Sequence, residues 1–212
     1  TPIMSIQGYL ETLSDGGIED PTINSMYIDK ALKNVDRMIM IIDDLVNISM
    51  LESGELALNY KKFDINALVK EVYESLEMQA SAAKTKLAIK EGCDHVFNVY
   101  ADEKLIREVL VNLISNAIKY GNKEGFVHAG FYNMGDNILI EIADNGLGIA
   151  KEHLNRVFER FFRIEKSRSR DMGGTGLGLS IVKHIIEAHN QNVNVRSTIG
   201  EGSTFGFTLQ KA

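Results

Sequence analysis

Three polar side chains share one stripe of a helix that the sequence predicts over Glu103–Tyr120. Asn112, Asn116 and Lys119 are spaced i, i+4 and i+7, which places them along one edge of that helix. Amide oxygens are hard ligands that suit magnesium, and a lysine ammonium group offsets the negative charge of phosphate. The stripe therefore fits a magnesium–triphosphate ligand, although a solvated polar face has the same pattern.

A carboxylate and two glycines follow a predicted strand, Asn137–Ala143. Asp144 stands at the strand end, and Gly146 and Gly148 come next. Asn145-Gly146 is a strong hairpin signal, so a plain turn is one interpretation. Glycines also permit close approach of a ligand, and the Asp144 carboxylate could accept a hydrogen bond from a purine amino group.

A glycine-rich segment, Gly173–Gly178, opens a helix predicted over Leu177–His189. Glycine-rich backbone at a helix N-terminus binds anions, and phosphate is the obvious candidate. The segment is not a Walker A loop, because Leu179 follows Gly178 where Lys-Ser/Thr is required. It is not a dinucleotide fingerprint either, because it lacks a preceding strand and a third glycine at Leu179.

An aromatic and cationic stretch lies between these two glycine sites. Phe158–Phe162 is followed by a polar segment with the cations Arg163, Lys166, Arg168 and Arg170. The pattern fits a lid that closes over a polyanion. Core phenylalanines followed by a solvated loop give the same pattern.

The N-terminal quarter predicts a helical hairpin. Apolar residues between Ile3 and Leu13 lie on one face of a first helix, and Ser14–Gly17 is typical of a turn. A heptad pattern then predicts a second helix from Pro21 to about Ser53. Asp20 is the predicted N-cap of this helix, and Gly54 is predicted to end it. The short first helix covers only half of the second. The exposed half either packs against the next domain or, as we favour, pairs in a dimeric four-helix bundle.

From about Leu56 the pattern becomes mixed α/β, so the fold class is α+β, with a largely antiparallel or mixed sheet and helices on one face. The boundary divides the chain into 1–54 and 55–212. The predicted strands are Leu56–Phe63, Lys86–Glu91, Asn98–Ala101, Phe126–Tyr132, Asn137–Ala143, Asn192–Thr198 and Ser203–Leu209. The predicted helices are Asn66–Ala83, Glu103–Tyr120, a short piece near Lys151–Phe158, and Leu177–His189.

Composition excludes several classes of protein. The net charge of −6 disfavours a nucleic-acid binder that neutralises phosphates. A single cysteine, Cys93, excludes an intrachain disulfide framework or a cysteine-ligated zinc site. The longest apolar run, Met38–Ile42, is too short for a membrane span, and we expect a cytoplasmic chain.

Taken in order, these elements resemble the catalytic part of sensor histidine kinases. Asn112–Tyr120 resembles the N box, Asp144–Gly148 the G1 box, Phe158–Phe162 the F box and Gly174–Gly178 the G2 box, and Gly202–Phe205 is similar to the family's last strand. The resemblance implies an α/β sandwich of the gyrase, chaperone and histidine-kinase ATPase type that binds Mg-ATP. The hairpin resembles the family's dimerisation and phosphotransfer domain.

The resemblance also implies roles for residues. Asp144 would hold the adenine amino group with Thr204 nearby, Asn116 assisted by Asn112 would hold magnesium, and Lys119 would contact phosphates. The implied nucleotide site comprises Asn116, Lys119, Tyr120, Asp144, Gly146, Gly148, Arg163, Gly174, Thr175, Gly176, Leu177, Gly178 and Thr204. The implied catalytic residues are Asn112, Asn116, Lys119 and Thr1, the last matching a threonine used to dephosphorylate the response regulator.

The family pattern His-Glu-x-x-Thr-Pro places the phosphoacceptor four residues before Thr1, so we expect the acceptor histidine to be absent and this chain not to autophosphorylate. The five histidines all follow the hairpin: His95, His128, His153, His184 and His189. Implied partners are a second copy through the hairpin and a response regulator receiver domain. Any membrane anchor would lie in upstream segments.

Two other functions compete. Gyrase-type and chaperone-type ATPase clamps share the nucleotide fold but carry a glutamate where Asn112 stands, and an amide cannot act as a general base. A non-catalytic scaffold would keep the fold without magnesium-dependent ATP affinity. Intact Asp144, Asn116 and glycines disfavour the scaffold.

Overall fold

The computed structural model describes residues 2–54, 57–164 and 175–212. The chain forms two compact units, Thr1–Ser49 and Met50–Ala212. None of the helices within the described ranges has the length and apolar character needed to cross a bilayer.

The first unit is the predicted helical hairpin. Helix α1 (Pro2–Ser14) and helix α2 (Asn24–Ser53) flank a short 3-10 turn, Gly17–Glu19. Helix α2 begins three residues after the predicted Pro21, because the Asp20 carboxylate accepts hydrogen bonds from the backbone N–H and the hydroxyl of Thr22 and holds a separate turn. Gly54 follows α2 with φ of 70°, which ends the helix as predicted.

The second unit contains two sheets and four helices within its described residues. Strands β1 (Tyr60–Asp64) and β3 (Asn98–Asp102) form an antiparallel pair. The larger sheet has the order β2-β4-β5-β7-β6, with β2 parallel to β4 and the other pairs antiparallel. Its strands are β2 (Lys86–Ile89), β4 (Phe126–Met134), β5 (Asn137–Asp144), β6 (Val193–Thr198) and β7 (Gly202–Gln210). The predicted mixed sheet is confirmed.

Helices cover one face of the larger sheet. These are α3 (Ile65–Ser75), α4 (Glu77–Ala83), α5 (Glu103–Tyr120) and α6 (Gly178–Ala188). Alternate residues of β5, namely Ile138, Ile140 and Ile142, are buried on that face, as the strand period of two requires. On the opposite face Glu141 forms an ion pair with Arg196. The core therefore lies between the sheet and the α5 and α6 layer.

Several predicted boundaries need correction. The predicted helix Asn66–Ala83 is two helices, because the backbone of Leu76, at φ −103° and ψ 5°, leaves the helical region between α3 and α4. The predicted strand Leu56–Phe63 begins at Tyr60. The predicted helical piece near Lys151–Phe158 is a 3-10 turn, Lys151–His153, followed by further turns.

Candidate functional site

Helix α5 presents the predicted polar stripe at the edge of the core. Its N-terminus is capped by Asp102, whose carboxylate accepts hydrogen bonds from the backbone N–H groups of Lys104 and Leu105. Its apolar residues are buried from Ile106 to Ile118. Asn112, Asn116 and Lys119 are half-buried on the remaining edge, where they can meet a ligand.

Asp144 ends β5 with its carboxylate held by backbone donors. The N–H of Gly146 donates to Asp144 Oδ1 at 2.7 Å. Burial raises the pKa of the Asp144 carboxyl above its ordinary value, and hydrogen bonds from the backbone of Gly146 and Ser203 oppose that rise. The side chain is therefore a fixed, partly desolvated acceptor.

The turn after Asp144 is fixed to the C-terminal end of α5. A Cβ atom on Gly146 would lie 2.4 Å from the carbonyl oxygen of Tyr120, so only glycine fits there. The N–H of Leu147 donates to the same carbonyl oxygen at 3.2 Å. Gly148, at φ 70°, approaches the backbone of Thr198 so closely that a side chain would clash with it. These contacts bring Asp144 beside Tyr120.

The described part of the second glycine segment meets α5 two turns earlier. A Cβ atom on Gly178 would lie 2.6 Å from Oδ1 of Asn112. Gly176, at φ 78°, packs on the backbone of Phe161 and accepts a hydrogen bond from its N–H at 2.9 Å. The N-terminus of α6 therefore lies at Asn112, with the aromatic segment against the glycine turn.

These two contacts define an elongated site along α5. Asn112 and Tyr120 are separated by about 12 Å at the helical rise of 1.5 Å per residue. Asp144 stands at one end and the glycine turn at the other, with Asn116 and Lys119 between them. The chemistry suits a purine at the Asp144 end and an anionic chain at the Gly178 end.

The donors of the site fit a magnesium ion that is bound together with phosphates. Within the described ranges, no group of three or more His, Cys, Asp or Glu side chains could hold a metal ion. Magnesium takes few protein ligands and completes its shell with water and phosphate oxygens. The amide oxygens of Asn112 and Asn116 could supply ligands of that kind.

The strand register places Ser203, and not Thr204, on the same strand face as Asp144. Asp144 pairs with Ser203, and Thr204 pairs with Ala143. Directly paired residues share a face, so Thr204 points away from Asp144 and the buried Ser203 stands beside it. Sequence reasoning missed Ser203, although the alternation of buried Phe205, Phe207 and Leu209 in β7 places Ser203 on the inner face.

The other predicted site residues have mixed placements. Leu177 is fully buried, so only its backbone can face a ligand, and its N–H donates to Thr175 Oγ1 at 3.2 Å. The Lys119 ammonium lies 5.1 Å from the centroid of the Tyr120 ring. Arg163 is half-buried. Thr1, Lys166, Arg168, Arg170 and Gly174 lie outside the described residues.

Both parts of the chain are similar to known protein families. Residues 101–212 match the sequence profile of the family described as "Histidine kinase-, DNA gyrase B-, and HSP90-like ATPase", and residues 1–54 match the "His Kinase A (phospho-acceptor) domain". The chain is 32% identical over 211 residues to the sensor protein kinase WalK of Staphylococcus aureus, which covers 99% of this chain and 50% of WalK. The chain thus spans about half the length of this relative.

Solved structures show the same fold. The histidine kinase AdeS of Acinetobacter baumannii matches with a TM-score of 0.80 and 29% identity, covering 100% of this chain and 95% of AdeS. The histidine kinase ThkA, solved in complex with the response regulator protein TrrA, matches with a TM-score of 0.78 over 100% of this chain and 58% of that one. At 23% identity the second likeness shows the fold alone.

Proposed function

Because this chain belongs to the family of histidine kinase-, DNA gyrase B- and HSP90-like ATPases and is a sensor histidine kinase of a two-component system, we propose that it binds Mg-ATP and donates the γ-phosphoryl group to a histidine. One observation carries the proposal. The polar stripe of α5 meets the carboxylate-bearing turn at Tyr120 and the glycine-flanked helix N-terminus at Asn112.

Each end of the site has a distinct role in this proposal. Asp144 accepts a hydrogen bond from the adenine amino group, with Ser203 beside it and Tyr120 lining the pocket. Gly146 and Gly148 let the turn pack directly on the backbone of Tyr120 and Thr198, and this packing would hold Asp144 in place at the base. These assignments follow from the acceptor chemistry of a carboxylate and from the close packing at Gly146.

The phosphate end uses amides, cations and backbone N–H groups. Asn116, assisted by Asn112, would hold magnesium, which neutralises charge on the phosphate oxygens. Lys119 and Arg163 would contact phosphates as cations. The backbone of Gly174–Gly178, with Thr175, Gly176 and Leu177, would supply N–H donors at the start of α6.

The reaction we propose is phosphoryl transfer rather than hydrolysis. Asn112 has an amide where a general base is needed to activate water, so ATP waits for an external nucleophile. A histidine nitrogen takes the γ-phosphoryl group, ADP leaves, and an aspartate of a response regulator receives the group next. Residues 1–54 contain no histidine, so the acceptor in this proposal is one that the sequence does not contain.

The hairpin, residues 1–54, would be the dimerisation and phosphotransfer domain, and residues 55–212 the catalytic domain. Large apolar side chains of α1 and α2 are exposed, among them Leu10, Leu32 and Ile39. They lie along helices that carry a groove of about 570 Å³ with apolar lining. A second copy would cover them.

Thr1 would serve dephosphorylation of a response regulator receiver domain. We place the chain in the cytoplasm, with any membrane anchor in other segments of a longer protein.

The test uses a chain extended upstream to include the acceptor histidine. Incubation with γ-labelled Mg-ATP should give an acid-labile, base-stable label on the protein, which then moves to a receiver domain. Steady hydrolysis without protein label would instead indicate the ATPase-clamp alternative. Absence of magnesium-dependent ATP affinity would indicate the scaffold alternative.

A further inference from the structure

Three side chains form a row across the sheet at the purine end of the site. Asp144 of β5 pairs with Ser203 of β7, and Ser203 pairs with Ser197 of β6. Paired residues share a face, so the Ser203 hydroxyl stands between the Asp144 carboxylate and the Ser197 hydroxyl. Ser203 is buried and Ser197 is half-buried.

The Ser197 hydroxyl has three hydrogen-bond partners. It accepts from the backbone N–H of Ile149 at 2.8 Å. It donates to the carbonyl oxygen of Gly202 at 2.7 Å. Its oxygen lies 3.0 Å from Ser203 Oγ, and in that pair either oxygen could be the donor on distance alone.

Counting protons assigns the direction of the third bond. A serine hydroxyl has one proton and two acceptor lone pairs. The carbonyl oxygen of Gly202 can only accept, so the single Ser197 proton is committed to it. The bond between the two serines therefore takes its proton from Ser203. With its own proton turned toward Ser197, Ser203 offers only lone pairs to anything at the Asp144 end.

We propose that Ser197 is a positioning residue that fixes the Ser203 hydroxyl as a hydrogen-bond acceptor beside Asp144, and that this arrangement makes the site selective for a 6-amino purine. The inference rests on the proposed function, since it assumes that a purine nucleotide occupies this end. Ser197 acts through Ser203 and does not itself touch the ligand.

The selectivity follows from the hydrogen-bonding edge of the base. Adenine presents an amino group, a donor, where hypoxanthine and guanine present a carbonyl oxygen, an acceptor. An ionised Asp144 and an acceptor-only Ser203 both match the amino group and both oppose the carbonyl. If the Ser203 proton were released, it would turn to the Asp144 carboxylate or to the ligand, and the discrimination would weaken.

The experiment compares the dissociation constants of Mg-ATP and Mg-inosine triphosphate by titration calorimetry on the full chain. We expect Ser197→Ala to lower the affinity ratio of ATP over inosine triphosphate about fivefold, the effect of one hydrogen bond. Ser197→Thr keeps a hydroxyl at the position and should restore the ratio. Thr198→Ala is the matched control, since it removes an exposed hydroxyl from the same strand on the opposite face.

A double-mutant cycle separates positioning from general support. In a Ser203→Ala background, Ser197→Ala should leave the ratio unchanged, because the group it orients is gone. If Ser197→Ala fails to fold, Ser203→Ala and Ser197→Thr are still measured. Ser203→Ala should lower the ratio, and Ser197→Thr should match the wild type.

Particular results would overturn the inference. An unchanged ratio in Ser197→Ala or in Ser203→Ala contradicts it, as does an equal effect of Ser197→Ala with and without Ser203. An equal loss of affinity for both nucleotides in Ser197→Ala would show that Ser197 only supports the backbone at Ile149 and Gly202. If the wild-type chain binds neither nucleotide with magnesium, the proposed function is itself overturned, and this inference with it.

Discussion

The Asp144 carboxylate is the charged acceptor that we propose for the purine amino group, so its replacement is a sensitive test. Asp144→Asn keeps the size of the side chain but replaces one acceptor oxygen by an amide donor. We expect the Mg-ATP dissociation constant to rise by a factor corresponding to about 1.5–3 kcal/mol, the strength of a hydrogen bond to a charged group. Titration calorimetry at neutral pH measures it.

Asp136→Asn, at an exposed residue of the β4–β5 turn, is the matched control and should leave the dissociation constant unchanged.

The stability of the Asp144→Asn protein should increase, although its affinity for ATP decreases. Burial raises the pKa of Asp144 above its unfolded value, so the ionised carboxylate costs stability once the pH exceeds the folded pKa. We therefore expect a higher melting temperature for Asp144→Asn at neutral pH. An equal ATP affinity in the variant would contradict the role of Asp144.

His189 has both ring nitrogens committed inside the core. Nδ1 lies 2.7 Å from the carbonyl oxygen of Ile185, and Nε2 accepts from the N–H of Asp102 at 3.0 Å. Because Nε2 must stay unprotonated to accept, the ring is neutral, and burial lowers the pKa of His189 below its ordinary value. The unfolded chain binds a proton at a higher pH than the folded one does.

The contribution of His189 to the free energy of unfolding should therefore be complete above the ordinary histidine pKa of about 6.5. It should decrease as the pH falls below that value. Chemical denaturation at several pH values between 8 and 5, in the wild type and in His189→Gln, measures the effect. The variant should lose the part of this pH dependence that His189 contributes, whereas His128→Gln, on the other sheet face, should keep it; burial also lowers the pKa of His184, whose contribution stays in both variants. An identical pH dependence in the wild type and in His189→Gln would refute the tautomer assignment.

Ser203 shows how far sequence reasoning reached at single residues. Asp144 and the polar stripe of α5 could be predicted because strand ends and helical spacing place them without knowledge of other strands. The motif predicts Thr204, and a motif gives position along the chain but not the face of a strand. The pairing of Ser203 with Asp144 depends on the register of β5 against β7, which is a long-range property.

Among the elements, α5 was predicted at both ends, because Asp102 caps its start and Gly121 follows its end. The break at Leu76 could not be predicted. Val69, Val72, Tyr73 and Ala80 are all buried, so the apolar pattern continues through both helices and hides the change of direction. Periodicity reports which side of a segment is buried, but it does not report where the backbone turns.

The contact between the Gly146 turn and the end of α5 makes a prediction about these two elements together. In Gly146→Ala, the new Cβ atom would lie 2.4 Å from the Tyr120 carbonyl oxygen and 2.8 Å from Asp144 Oδ1. Backbone cannot yield as a flexible side chain does, so the turn must move away from α5. We expect at least a tenfold loss of Mg-ATP affinity, corresponding to about 1.4 kcal/mol, together with a lower melting temperature.

Gly8→Ala is the control for this substitution, because a Cβ atom there meets nothing within 4 Å and the residue lies within α1. It should leave ATP affinity unchanged and stabilise the helix by up to about 1 kcal/mol. A Gly146→Ala protein with wild-type ATP affinity would show that the turn does not need its contact with Tyr120.

At the scale of the whole molecule, the exposed apolar side chains of the hairpin predict self-association. Ile39 is 51% exposed in the middle of the heptad series of α2, where a second copy would bury it. Ile39→Glu would place a carboxylate in that apolar interface without a partner, and unpaired buried charges are strongly unfavourable. We expect the wild type to sediment as a dimer and Ile39→Glu as a monomer at micromolar concentration.

Analytical ultracentrifugation of the wild type, Ile39→Glu and Lys33→Glu decides the matter, since Lys33 is exposed and lies outside the apolar series. The same three proteins also separate assembly from nucleotide binding. Every described residue of the proposed nucleotide site lies in the unit Met50–Ala212, which has its own core. A monomeric Ile39→Glu should therefore bind Mg-ATP with the wild-type dissociation constant. Loss of ATP affinity in step with dimer dissociation would show that a second copy contributes to the site.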